Sequence, residues 1–330
     1  MKNGFHYGVR AFRPGDEEAL LALHNRAFDG HAPRSRRHWD WKFRENTVGT
    51  TEIVLAENGD GRPVAVYAVV SHRALLDGRE CRAGLQTDMA VDPELRTGLG
   101  GSRLIVQLGD AYQASFLSDD VKIEWGFPEP ELQRVCLRHL KVGVLRDVVF
   151  LVREPTVPAR PSTTLDVRPC ARFAEDVDAL WLRCRAELGT CTVRDRRYLD
   201  WRYSGHPDVR YMLLEARPRG GGALRGIAVL RTDGLENVVS LLDWLVPADD
   251  HETERALLEH ALAETARLGK RFLVTWFPTP WPLFTRFQLE HGFFARSSPF
   301  QECYRSRDSA YDRRWLDQHW YQTMGDIDFL

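Results

Sequence analysis

Three glycines, Gly98, Gly100 and Gly101, fall within four positions between an apolar stretch and an amphipathic one. The stretch before them ends Met89-Ala90-Val91-Asp92-Pro93 and reads as a strand. The stretch after them carries Leu104, Ile105, Leu108, Ala111 and Tyr112 at the spacing of a helix with one buried face. A turn without side chains lets backbone N–H groups approach a ligand closely and take positive φ. At a helix N-terminus those unpaired donors and the helix dipole favour an anion. Arg96, Thr97, Gly98, Leu99, Gly100, Gly101 and Ser102 are therefore predicted to cradle a phosphate or pyrophosphate, with Arg96 adding positive charge. The plainer alternative is a glycine-capped turn. Neither the G-x-G-x-x-G dinucleotide fingerprint nor the G-K-[ST] phosphate loop is present.

A second chemical group is His139. Leu132, Val135, Cys136, His139 and Leu140 follow i, i+3, i+4, i+7, i+8, which predicts His139 on the buried stripe of a helix. A buried imidazole is either a hydrogen-bonded core residue or a neutral N–H donor placed for chemistry. Cys136 lies one turn earlier, but helix neighbours align poorly as a nucleophile and its base.

The elements that must position these groups follow in order. Residues 9–14 read as a first strand, and a helix begins at Asp16. Residues 34–44 are basic and aromatic, with Arg34, Arg36, Arg37, Trp39, Trp41, Lys42, Phe43 and Arg44. A hairpin turns at 58–61 and another at Asp77-Gly78. After the long helix come a strand at 121–128, a short helix at about 130–141 ended by Gly143, and a strand at 145–152.

Strand, V-D-P-x-x-R, G-x-G-G, helix resembles motif A of the GNAT superfamily of acyltransferases, and the element order extends the resemblance over 7–153. The usual form is R-x-x-G-x-G; here Leu95 stands at the first position and Arg96 fits only with one residue deleted. The ending His319-Trp320-Tyr321-Gln322-Thr323-Met324-Gly325-Asp326-Ile327-Asp328 resembles the W-Y-x-T-x-G-D-x-D close of a bacterial subgroup, which the W-x-W-K-F at 39–43 also fits. The resemblance implies a site. The turn would hold the pyrophosphate of acetyl-coenzyme A or another acyl-coenzyme A. Backbone N–H groups near Met89, Ala90 and Val91 would polarise the thioester carbonyl. His139 occupies the place of the tyrosine that protonates the leaving thiolate. Asp88 would be the base, working through water, or else a strand-end carboxylate. Glu124 would point into the cleft or be a paired core acid. The basic aromatic segments at 34–44 and 194–203 would build the acceptor wall, unless their tryptophans are core and their arginines solvated.

The chain then repeats itself. Val167-Arg168-Pro169 answers Val9-Arg10-Ala11, and residues 196–203 answer 36–43. Leu242-Asp243 answers Thr87-Asp88, Thr275-Trp276 answers Glu124-Trp125, and His291-Gly292-Phe293 answers Val142-Gly143-Val144. The offsets drift as 158, 160, 155, 151 and 149. Ordered matches with slowly drifting offsets predict a tandem duplication. The second copy has no glycine after Pro247; Asp249, Asp250, Glu252 and Glu254 crowd the start of its helix and would repel a pyrophosphate.

Length and composition set the bounds. At 330 residues two domains are expected: a GNAT domain at 1–153, a proline-bearing linker at 154–164, a degenerate GNAT domain at 165–303 and a tail at 304–330 packed on the body. The fold class is α/β (α+β), two tandem GNAT folds, each a mixed, mostly antiparallel sheet flanked by helices. A net charge of −2 argues against a nucleic-acid partner, and no apolar run reaches the roughly 18 residues of a membrane span. Six scattered cysteines predict neither zinc nor disulfides and point to the cytoplasm. The expected function is N-acyl transfer, acetyl above all, to the amine of a small metabolite or amino sugar, by a monomer or homodimer. The alternatives are a non-catalytic tandem GNAT scaffold and an aminoacyl transfer from tRNA.

Overall fold

The computed structural model describes residues 7–30, 32–96, 100–116, 121–155 and 164–327. Thr97, Gly98 and Leu99, most of the 154–164 segment, and Asp328 lie outside the described residues. The first half of the chain forms β1 (Gly8–Ala11), α1 (Glu17–Ala27), α2 (Arg36–Phe43), β2 (Glu52–Glu57), β3 (Pro63–Leu76), β4 (Arg79–Val91), α3 (Gly100–Phe116), β5 (Val121–Gly126), α4 (Pro130–His139) and β6 (Gly143–Arg153). The second half forms β7 (Leu165–Cys170), α5 (Val177–Leu188), β8 (Cys191–Thr192), α6 (Arg196–Leu199), β9 (Met212–Pro218), β10 (Gly226–Leu235), β11 (Val238–Leu245), α7 (His251–Arg267), β12 (Phe272–Trp276), α8 (Pro282–Leu289), β13 (Phe294–Ser306) and α9 (Arg313–His319).

These elements gather into two compact units that are not two consecutive stretches of chain. Unit 1 holds Met1–Arg73, Cys81–Arg146 and Phe300–Asp312; unit 2 holds Ala74–Glu80, Asp147–Pro299 and Arg313–Leu330. In unit 1, β1 pairs antiparallel with β2, β2 antiparallel with β3, and β4 parallel with β5. The order closes with the end of β13, Cys303–Ser306, antiparallel to β5. In unit 2, β7, β9, β10 and β11 pair antiparallel in turn, and β11 runs parallel to β12. Its closing strand is the end of β6, with Phe150 opposite Trp276 and Arg153 opposite Leu273. The same order appears twice, and each copy's last strand comes from the other half of the chain.

Local chemistry explains several of these elements. Asp77 and Gly78 both take positive φ, at 51° and 74°, the two-residue turn whose twist suits a hairpin. The apolar stripe of α3 buries Leu104, Ile105, Leu108 and Tyr112 against Val54, Val64 and Tyr67 of the sheet. Ser35 caps α2 by accepting from the His38 N–H at 3.1 Å, and Trp39 and Phe43, one turn apart, bury the same face. Among the described residues no helix is long and apolar enough to cross a membrane, and no cluster of metal-binding side chains forms.

Candidate active site

Of the three glycines, Gly100 and Gly101 lie among the described residues and begin α3. Neither Gly100 nor Gly101 takes positive φ. Gly101 is needed for close approach: a Cβ there would lie 3.2 Å from the Leu95 carbonyl oxygen and 3.4 Å from Arg96 Cα. Gly100 is exposed and a Cβ on it would meet nothing nearer than 3.6 Å. The first turn of α3 carries no acid of its own to occupy its N–H donors and the positive end of its dipole. Arg96 folds back: its Nε donates to the Val91 carbonyl at 3.0 Å and its Nη2 to the Ala27 carbonyl at 2.5 Å. It ties the end of β4 to the end of α1 through backbone oxygens.

Beside this turn, the β4–β5 ladder runs from Arg82–Val121 to Leu85–Trp125 and goes no further. Three residues on, Asp88 sits in the left-handed region at φ 50°, an uncommon conformation for a non-glycine inside a strand. Its carboxylate gathers three cationic or ionisable groups from α1, α2 and the segment between them. Arg34 Nη1 donates at 2.5 Å, Lys42 Nζ at 3.1 Å, and His24 Nε2 lies 3.6 Å away. Lys42, buried to 2% exposure, also donates to Thr87 Oγ1 at 2.8 Å. Burial by itself pushes the Asp88 carboxyl up, but Arg34 and Lys42, with His24 behind them, outweigh it and hold the group well below the usual carboxylate range. A carboxylate so stabilised is a weak proton acceptor. Asp88 is thus held by Arg34, Lys42 and His24 together. His24 Nδ1 is buried without a hydrogen-bond partner among the described residues. With Nε2–H toward Asp88, the Nδ1 lone pair is the available acceptor.

His24, Arg34 and Asp88 line a pocket with Leu20, Trp39, Phe43, Ile53, Val66 and Ala68, an apolar and aromatic wall with the charges at one side. Its enclosed space is about 20 Å³, room for roughly one water.

The other two predicted catalytic groups behave differently. Glu124 on β5 is fully buried and accepts from Arg305 Nη1 at 2.6 Å, while Arg305 Nη2 donates to the Leu140 carbonyl at 2.6 Å. Burial raises its carboxyl above the usual range against the pull of Arg305. Of the two alternatives, the geometry matches the paired core acid: the pair ties the inserted end of β13 to β5. His139 is exposed, contrary to the buried stripe predicted for it. The inward ladder of α4 is Cys136 and Leu140, spaced by four, and His139 falls off that line at the last helical residue. Burial pushes the Cys136 thiol up to about 12, which leaves no thiolate for a nucleophile pair.

The start of α7, the counterpart of α3, is filled from within. Asp250 caps it, accepting from the Thr253 N–H at 3.1 Å and pairing with Arg225 at 2.5 Å. Glu252 pairs with the same Arg225, and Glu254, 3% exposed, pairs with Arg286 at 3.0 Å and His291 at 2.7 Å.

No protein-family model matches the sequence, and no curated protein matches it. Solved structures do. A tandem GNAT protein from the clavulanic acid biosynthesis pathway aligns at TM-score 0.60 and 16% identity, over 91% of this chain and 98% of that one. The fold is the GNAT fold, twice over. A GCN5-related N-acetyltransferase from Kribbella flavida aligns at TM-score 0.61 and 16% identity, over 92% of this chain and 72% of that one. The N-myristoyltransferase of Saccharomyces cerevisiae, solved with myristoyl-CoA, aligns at TM-score 0.59 and 10% identity, over 91% of this chain and 79% of that one. In unit 1, the stretch that resembles motif A runs from the end of β4 to the start of α3.

Sequence reasoning missed His24 altogether and saw Arg34 and Lys42 only as members of a basic segment. The available signal for His24 was its place four residues after Leu20, on the inward side of α1.

Proposed function

We propose that unit 1 is an acyl-coenzyme A-dependent N-acyltransferase that moves an acyl group, acetyl in the first instance, to the amine of a small metabolite or amino sugar. The observation that carries this reading is the acid-free, glycine-opened N-terminus of α3, set directly after a strand whose parallel ladder stops at Leu85. The turn from Arg96 to Ser102 receives the pyrophosphate, and N–H groups near Met89, Ala90 and Val91 receive the thioester oxygen. The amine nitrogen loses a proton toward His24, which Asp88 orients, and attacks the carbonyl carbon. Collapse of the tetrahedral oxyanion breaks the C–S bond, and the thiolate takes a proton from His139. The products are an amide and the free thiol.

Unit 2 is proposed not to bind coenzyme A in this way, because its helix start is occupied by Asp250 and Glu254 with their arginine partners. The expected stoichiometry is therefore one acetyl-coenzyme A per chain by calorimetry and native mass spectrometry. A value near two would defeat the repulsion argument; no binding at all would defeat the transferase.

The role of His139 has its own test. His139→Phe is expected to lower kcat about 10²–10⁴-fold, the range for a lost general acid, with coenzyme A affinity little changed. His139→Tyr is expected to regain part of the rate, since a phenol donates the same proton. Because His139 is exposed, neither substitution costs much stability, so turnover within about threefold of the parent, far short of the general-acid range, removes it from the mechanism.

A further inference from the structure

Asp88 in unit 1 is shared by three groups, and the second copy of the fold shows which of those contacts the fold can do without. Counted from the first residues of α1 and α5, which lie 160 positions apart, the place of His24 is taken in unit 2 by Cys184. By the same 160-residue offset Arg202 answers Lys42, and Asp243 answers Asp88 by the 155-residue offset of the strands. Lys42 turns to Asp88 at 3.1 Å. Arg202 instead donates to the Gly325 and Ile327 carbonyls and to the Tyr211 hydroxyl, each at 3.2 Å. The cation at this place thus faces the strand carboxylate in the copy that has an imidazole beside it, and turns elsewhere in the copy that has a thiol there. Fold stability is a weak reason to bury Lys42 at 2% exposure, since an apolar side chain in place of one member of such a site, with its partner also neutralised, is often no less stable.

His24 Nε2 lies 3.6 Å from Asp88 Oδ1, the same oxygen that accepts from Lys42. The charged and titratable groups that face the ring are Asp88 from β4, Arg34 from the segment before α2, and His38 and Lys42 from α2. A carboxylate beside an imidazole favours the imidazolium, which cannot accept a proton. Cations act the other way, directly by repulsion and indirectly by drawing the carboxylate's charge to themselves. We propose that Lys42 and Arg34 are positioning residues for His24: by holding Asp88 they keep its carboxylate from fixing a proton on the ring, and the ring meets the acceptor amine neutral, with its Nδ1 lone pair to offer. The use of that lone pair in catalysis rests on unit 1 being the transferase. The control of the ring's charge does not, and it can be tested without turnover.

The experiment is an NMR titration of the His24 ring in the full chain, its signals identified by their loss in His24→Gln. In Lys42→Met the midpoint should rise by about one pH unit, the order expected for a charge removed at this range in a partly buried site. The sign follows from the charges: with the cation gone, the ring holds its proton to higher pH. Arg34→Gln, at a side chain 24% exposed, should move the midpoint the same way and decides the matter if Lys42→Met does not fold. Lys42→Met with Asp88→Asn should bring it back down, because the carboxylate is then gone as well. Thr87→Val removes the hydroxyl that accepts from Lys42 but no charge, and should leave the midpoint nearly in place. A midpoint that stays or falls in folded Lys42→Met or Arg34→Gln would overturn the proposal, and so would a Thr87→Val shift as large as that of Lys42→Met. For the transferase, the acid limb of kcat/KM for thiol release from acetyl-coenzyme A, with glucosamine as acceptor, should move up with the ring. A limb that stays while the ring's midpoint moves would take His24 out of the transfer and leave the control of its charge standing.

Discussion

Gly100→Asp is expected to take acetyl-coenzyme A affinity down at least ~10²-fold, on the scale of charged hydrogen bonds replaced by a like charge, while the protein stays folded. The site of the change is open: a Cβ at Gly100 meets only the Leu95 carbonyl oxygen, at an ordinary 3.6 Å. A carboxylate in the first turn of a helix normally stabilises it by ~0.3–1 kcal/mol. It does so by occupying the N–H donors and the positive end of the dipole, which are the groups proposed to hold the pyrophosphate. Gly101→Asp is the less informative change, since its Cβ would press on the Leu95 oxygen at 3.2 Å and disturb the turn itself. Calorimetry reads the affinity and a thermal melt reads the fold. Unchanged affinity in a folded Gly100→Asp would take this turn out of the site.

The largest effect on stability is expected at Arg305. Arg305→Leu leaves Glu124 fully buried without its partner and the Leu140 carbonyl without its donor. Breaking one side of a buried pair costs ~3–5 kcal/mol, a large share of what holds a domain folded. Urea denaturation should show the loss as an earlier transition. Arg305→Leu with Glu124→Leu should recover much of it, because two apolar groups need no partner. A loss below ~1 kcal/mol for Arg305→Leu would assign the pair the modest worth of a solvated one.

What the sequence made legible was local or periodic. The strand, turn and helix around Gly100 follow from alternation, glycine and a 3.6-residue stripe, and the hairpin at Asp77-Gly78 follows from two residues that tolerate positive φ. Ordered matches between the halves anticipated the repeated strand order. What stayed hidden was partnership. Asp88 is visible as an acid, but Arg34 and Lys42 reach it across 54 and 46 residues, and no spacing rule joins them. Glu124 looks the same in sequence whether it faces a cleft or a buried arginine 181 residues away. His139 fits a stripe by counting, yet a helix that ends on that residue has no following turn to carry it inward. Periodicity reports a face; it does not report who covers that face or where the element stops.

The exchanged closing strands bear on how such a chain is made and inherited. Unit 1 cannot finish its sheet until Phe300–Asp312 has left the ribosome, so the first copy to be synthesised waits for the second to be read through. Until then β5 offers an unpaired edge, the kind of surface that invites pairing with a stranger. Pairings that span so much chain also form late on entropic grounds. The same arrangement constrains the gene. A stop codon ahead of 300 damages the copy encoded first as well as the one encoded last, and neither half can be passed to another protein as a finished module. Two copies of one fold that close each other's sheets are inherited as a single unit.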